Sequence, residues 1–142
     1  MKLFMTDFLT SIQRHANMAA IHGKDTKPEM VVRRWLWGQG FRYRLNHPRL
    51  PGKPDIVMRK YRTCIFVNGC FWHGHDCKKG SLPADNADFW REKIAKNKIR
   101  DKKNQEILIN SGFHVIVIWE CELKNKVLRE QRLTRLVEEI KK

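Results

Sequence analysis

"PDIVMRKYRTCIFVNGCFWHGHDC", residues 54–77, decides the fold and holds most of the chemistry. Asp55–Met58 and Cys64–Val67 are short apolar runs rich in β-branched residues, and "RKYR" between them reads as a tight turn. Together they predict a hairpin of two buried strands. The second strand then empties into "FVNGCFWHGHDC" (66–77), where two Cys, two His, one Asp and an adjacent Phe–Trp pair crowd into twelve residues. That density is too high for an ordinary connection.

Outward from the hairpin the pattern alternates. On the N-terminal side, Phe41–Leu45 is strand-like, and "NHPRLPGKP" (46–54) carries three prolines and cannot be regular structure. Before it, "TKPE" (26–29) has the form of a capping box with Pro28 in the first turn; it opens a helix running to about Trp37, which "GQG" (38–40) ends. A further helix is expected over Thr6–Ile21. On the C-terminal side, residues 69–83 read as loop. Asp85 or Asn86 can cap a long polar helix ending near Ser111–Gly112. "FHVIVIW" (113–119) is a continuous apolar run, a buried strand that follows a helix and is therefore expected to be parallel to its neighbour. "VLREQRLTRLVEEI" (127–140) closes as an amphipathic helix with Leu128, Leu133, Leu136, Val137 and Ile140 mostly on one side. The order α-α-β-β-β-α-β-α predicts an α/β domain, a mixed central sheet with helices on both faces. A chain of 142 residues makes one such domain, not two.

The charge narrows the function. Twenty-nine Lys+Arg against 15 Asp+Glu leave +14, a self-repulsion best rationalised by a polyanionic partner, with nucleic acid ahead of an anionic membrane. No apolar run approaches the roughly 20 residues that span a bilayer. The N-terminus "MKLFMTDFLT" carries Asp7 and no small-residue cleavage site, so no export signal is expected. Four Cys in a reducing compartment then point to metal binding rather than disulfides.

Three groups of residues can do chemistry. Cys70, His75 and Cys77, with Cys121 after the buried strand, satisfy tetrahedral zinc in a closed, structural site; His73 competes as a ligand, and buried thiols acting as small apolar residues are the plainer alternative. Asp55 opens a strand after a Pro-rich turn, where its carboxylate can hold Mg2+, although an Asp after Pro is most often a turn residue. Glu29 is a possible second carboxylate that the capping box also explains. Phe71, Trp72 and Trp90 are aromatic residues set among basic ones, able to wedge between base pairs or simply to form core.

Four blocks in this order, "LPGKPDIV", "FVNGCFWHGHDC", "FWREKIAKNKIRD" and "VIVIWECEL", closely resemble the very short patch repair (Vsr) endonucleases, with "NMAAIHGKDTKPE" as the N-terminal part. The resemblance runs from about Asn17 to Leu123. It implies the restriction-endonuclease-like fold, and nicking of double-stranded DNA 5′ to the thymine of a T:G mismatch. It implies Asp55 as the Mg2+-binding catalytic aspartate, with the Val67 backbone carbonyl as a further Mg2+ ligand. Glu29 is then the helix glutamate beside the active site and His73 the active-site histidine. Cys70, His75, Cys77 and Cys121 become the structural Zn2+ ligands. Phe71, Trp72 and Trp90 intercalate beside the mismatch; Lys93 and Asn97 contact the mismatched pair, and Met18 enters from the minor-groove side. Where this chain has Asn68 the best-known members carry His and others Asp; Asn takes no proton at neutral pH, which leaves His73 as the candidate proton acceptor. The resemblance further implies a single domain over 1–142 with residues 1–20 as a DNA-clamping arm. Such a protein acts as a monomer in the bacterial cytoplasm, at the nucleoid. It works beside mismatch-repair proteins and a cognate cytosine-5 DNA methyltransferase. Two other readings fit the residues: a zinc-stabilised domain that binds damage without cutting, and a restriction-type nuclease for a matched sequence.

Overall fold

The computed structural model describes residues 26–142. The helix expected over Thr6–Ile21, and Met18 with it, lie outside the described residues. Helix α1 (Lys27–Gly38) leads to strand β1 (Arg44–Leu45), then β2 (Ile56–Met58) and β3 (Thr63–Asn68). Helix α2 (Ala87–Asn110), strand β4 (His114–Trp119) and helix α3 (Lys126–Lys141) complete the order.

The four strands lie in sequence order. β2 and β3 form the expected antiparallel hairpin, pairing Ile56 with Ile65 and Met58 with Thr63. β3 and β4 are parallel, in register from Thr63–His114 to Asn68–Trp119. All six residues of β3 are buried, as a central strand covered on both faces requires. Alternation sorts its side chains: Ile65 and Val67 join Ile56, Met58, Ile116 and Ile118 under α1 and α3, which supply Val32, Leu36, Leu133, Leu136 and Ile140. Cys64 and Phe66 face the other way, with Val57, onto Leu108 of α2. Helices therefore cover both faces of a mixed sheet, as the element order predicts.

Local departures have local causes. The strand expected over Phe41–Leu45 shrinks to Arg44–Leu45. Phe41 is a buried core residue, the Arg42 guanidinium sits 3.6 Å above the Trp37 ring, and the Tyr43 hydroxyl donates to the Arg33 carbonyl. These side chains dock on α1 instead of following β2. Thr26 Oγ1 accepts from the Glu29 N–H, one half of the capping box, while the Glu29 carboxylate turns away to Arg33. Asn86 is the cap of α2 but adopts φ 57° and makes no side-chain capping bond. Leu128, expected on the apolar side of α3, is exposed, and Arg132 is buried in its stead, bonded to Glu139 at 2.7 Å.

Helix α2 is the unusual element. Its 24 residues extend about 36 Å. Only Ile94 and Leu108 are buried: Leu108, near the C-terminal end, joins the second core cluster, Ile94 meets the loop after β3, and the helix leaves a long basic flank in solvent. Its first half docks the loop after β3: a Cβ on Gly74, at φ +64°, would lie 2.6 Å from Lys98 Cδ and 2.7 Å from Ile94 Cγ2. Only glycine lets that loop lie so close to the helix.

Candidate active site

Asp55 directly precedes β2, and its Oδ2 accepts a 2.7 Å bond from the Val67 N–H of β3. The hairpin thus aims the carboxylate. Glu29, at the start of α1, is buried, carries the Arg33 ion pair and lies within hydrogen-bonding reach of Asp55. Burial pushes the Asp55 carboxyl up from 3.8 to about 7; the Val67 N–H opposes the rise, the Glu29 carboxylate adds to it, and Arg33 offsets part. A half-buried Asp55 carboxyl that resists ionisation beside a second carboxylate fits a divalent cation, which would favour its charged form.

Asp55 opens onto a cleft of about 470 Å³. Val67, Asn68 and His73 line it, as do Lys53, Arg100, Asp101 and Asn104, which the motifs did not single out. Glu29 does not line the cleft; it backs Asp55 from α1. His73 Nδ1 pairs with Asp101 Oδ2, and that carboxylate also has Arg100 at 3.7 Å. An imidazole whose Nδ1–H is held by a carboxylate presents Nε2 as an acceptor. The signal for Asp101 was in the sequence: Asn97, Asp101 and Asn104 fall at i, i+4 and i+7, one polar face of α2. Asp101→Asn is expected to lower nicking about a hundredfold or more while duplex binding is retained, as single-turnover rates beside binding isotherms will show.

Beside the cleft, Cys70, His75, Cys77 and Cys121 place their ligand atoms within 4.8 Å of one another. His75 Nδ1 is 3.5 Å from Cys121 Sγ, and the His75 ring stacks on Trp119 at 4.1 Å and 13°. His73, the rival ligand, belongs instead to Asp101. Burial, with a smaller push from the neighbouring thiols of Cys77 and Cys121 and some relief from the Cys121 backbone, lifts the Cys70 thiol to about 12. Three thiols and an imidazole gathered this closely are suited to a soft or borderline cation, which would hold the sulfurs as thiolates. The Glu120 carboxylate accepts from the Cys70 N–H at 3.1 Å and braces the loop. Gly80 closes it: an added Cβ would stand 1.9 Å from the His75 carbonyl oxygen. Gly80→Ala is expected to cost about 1–3 kcal/mol and to lower bound metal per chain, read by thermal melting and elemental analysis.

The aromatic residues gather as one cluster. Phe71 and Trp72 lie 5.2 Å apart, and Trp90 lies 5.2 and 5.7 Å from them; all three are half-buried. Phe89, which the sequence reading passed over, extends the cluster at 5.1 Å from Trp90 and is 59% exposed. Edge-on packing keeps the rings rigid without sinking them into either core cluster. Asn97 Nδ2 donates to the Trp72 carbonyl at 2.9 Å, so its amide group holds the aromatic loop to α2. Lys93 is exposed on the same helix, between Trp90 and Asn97.

A carboxylate in a cleft backed by a second one, a carboxylate-held imidazole, and a basic helix with exposed aromatic edges are the equipment of an enzyme that cleaves nucleic acid. Comparison with known proteins gives the class a family. Residues 6–79 match the family described as DNA mismatch endonuclease Vsr. The type II nicking enzyme V.NmeAIP of Neisseria meningitidis serogroup A / serotype 4A (strain DSM 15465 / Z2491) is 58% identical over 137 residues, 96% of this chain and 98% of that one. The type II nicking enzyme V.XorIIP of Xanthomonas oryzae pv. oryzae is 42% identical over 94% of this chain and 98% of its own. DNA mismatch endonuclease Vsr of Escherichia coli (strain K12) is 40% identical over 95% of this chain and 87% of its own. The chain belongs to the Vsr family and is a DNA endonuclease. A binding domain without cleavage is thereby set aside. Among the described residues no helix is long and apolar enough to cross a membrane.

Proposed function

We propose that this endonuclease nicks double-stranded DNA 5′ to the thymine of a T:G mismatch, in very short patch repair, on a restriction-endonuclease-like core. One observation carries the reading: a single loop holds His73 in the cleft and, immediately before it, Phe71 and Trp72 in the aromatic cluster, while Cys70, His75 and Cys77 gather on its remaining positions. A rigid loop of this kind keeps a wedge and a catalytic group in fixed register.

The basic flank of α2 draws in the duplex through counterion release. Phe71, Trp72 and Trp90 enter the stack beside the wobble pair, which distorts at lower cost than a matched pair. Lys93 and Asn97 lie along the helix against that pair, and Met18 contacts it from the minor-groove side. Asp55 and the Val67 carbonyl hold Mg2+, which supplies Lewis-acid stabilisation of the phosphate charge when bound. His73, oriented by Asp101, takes the proton of the attacking water through Nε2. Glu29 fixes the Asp55 carboxyl, and Asn68 hydrogen-bonds in the cleft without exchanging protons. Cys70, His75, Cys77 and Cys121 hold Zn2+, which ties the loop to the end of β4 and takes no part in cleavage. The protein acts as a one-domain monomer at the bacterial nucleoid, beside mismatch-repair proteins and a cognate cytosine-5 DNA methyltransferase.

The names of the relatives as nicking enzymes support a one-strand cut. Mapping the incision at nucleotide resolution tests it: one break, 5′ to the mismatched thymine, supports the proposal, and breaks in both strands of a matched duplex replace it with a restriction-type activity. Trp72→Ala is expected to reduce the T:G over T:A preference about tenfold or more, in keeping with one stacking contact of about 1–3 kcal/mol. Equal losses on the two duplexes would return Trp72 to a packing role.

A further inference from the structure

Away from the cleft, the loop between β1 and β2 encloses a second pocket of about 380 Å³, lined by Arg44, Leu45, His47, Pro48 and Arg49. We infer that this pocket is a second phosphate site, seating a backbone phosphodiester of the duplex whose scissile phosphate lies in the cleft. The inference deepens the proposed function by adding a contact to the same substrate.

The lining is chemically one-sided. Two arginines and a histidine line the pocket, and among the described residues no acidic one does. Guanidinium forks match phosphate oxygens in geometry as well as charge. The imidazole is oriented too: His47 Nδ1 accepts from the Arg49 N–H at 3.3 Å, which places the ring proton on Nε2 as a third donor.

The loop is stiff. Pro48, Pro51 and Pro54 punctuate it, and Asn46 starts it at φ 46° while its N–H donates to the Asp55 carbonyl at 3.0 Å. The pocket is therefore shaped before a ligand arrives, which lowers the entropic cost of binding. The Asn46–Asp55 bond also ties it to the catalytic carboxylate across the strand pair.

Reach then identifies the ligand. Arg49 lines the basic pocket and Gly52 lines the catalytic cleft, three residues later. Three residues span at most about 11 Å, a length over which one DNA strand presents about three phosphates at about 3.4 Å of axial rise. The two sites are therefore close enough for a duplex with one phosphate in the cleft to reach the pocket with another.

The test is duplex binding without divalent metal, on a matched duplex, so that neither cleavage nor mismatch recognition enters. Failure of the mismatch-nicking proposal would leave this readout untouched, and the converse holds. Arg44 and Arg49 are exposed, so the double variant Arg44→Ala/Arg49→Ala is expected to fold. Circular dichroism and metal content confirm that before binding is measured. Its plot of log K against log salt is expected to lose about 0.9 in slope, one phosphate contact. An unchanged slope overturns the inference. So does a titration in which inorganic phosphate shifts the His47 ring resonances while the slope for DNA stays the same, since the pocket would then take free anion alone.

Discussion

Asp55→Asn is expected to reduce nicking at least about a thousandfold while leaving affinity for the duplex nearly unchanged. The substitution keeps the shape and an oxygen that can accept from the Val67 N–H, and removes only the ionisable charge. The same change should stabilise the metal-free protein at neutral and alkaline pH. The folded carboxyl is raised from 3.8 to about 7. A group raised on folding contributes stability that is complete below the unfolded value and is lost as pH climbs through the folded one. Wild type should therefore weaken between about pH 4 and pH 7 relative to the Asn variant, whose side chain does not titrate. The difference in melting temperature should be small near pH 4, favour the variant above pH 7, and shrink when Mg2+ is added, since only the carboxylate gains from the cation. A variant that is inactive and less stable at every pH would mark Asp55 as a packing residue instead.

Cys121→Ser should have the next largest effect. Cys121 lies just beyond β4, in the short turn Glu120–Leu123, and is the one ligand of the four outside the 70–77 loop. Its loss should cut bound zinc from one per chain to a small fraction and lower stability by several kcal/mol, the scale on which structural zinc contributes to small domains. Neither core cluster draws on the Cys/His group, so far-ultraviolet circular dichroism should remain close to wild type at low temperature. Nicking should fall about a hundredfold or more, because His73, Phe71 and Trp72 share the freed loop. A strong chelator added to wild type should reproduce the result. Full activity with no zinc bound would separate the cluster from function.

β2 and β3 were legible because burial on both faces forces near-continuous apolar runs, and the hairpin because "RKYR" has no apolar residue at an alternating position except Tyr61; β4, expected to be buried, is an edge strand in which only Ile116 and Ile118 are buried. The metal-ligand set was legible because three of its members lie within eight residues. What escaped depends on the third dimension. Asp101 shares a polar face of α2 with Asn97 and Asn104, which the spacing shows, but its pairing with His73, 28 positions away, follows only from the fold. Lys53 and Arg100 border the cleft only because the β1–β2 loop and α2 converge on Asp55. Arg132, outside the apolar set expected for α3, is buried against the Val117 carbonyl and Glu139. Glu29 shows the opposite case. Its position in a capping motif was visible, but the direction of its carboxylate follows from Arg33 one turn on and from Asp55 on another element.

The central claim is that one fixed loop couples mismatch recognition to cleavage at Asp55. Single-turnover nicking of T:G and T:A duplexes of the same sequence, with Mg2+ and with Mg2+ omitted while the zinc stays bound, measures it most directly. Efficient incision of the T:G duplex with Mg2+, little on T:A and none without the metal is the predicted result. Equal rates on the two duplexes, or incision that persists without Mg2+, would contradict it.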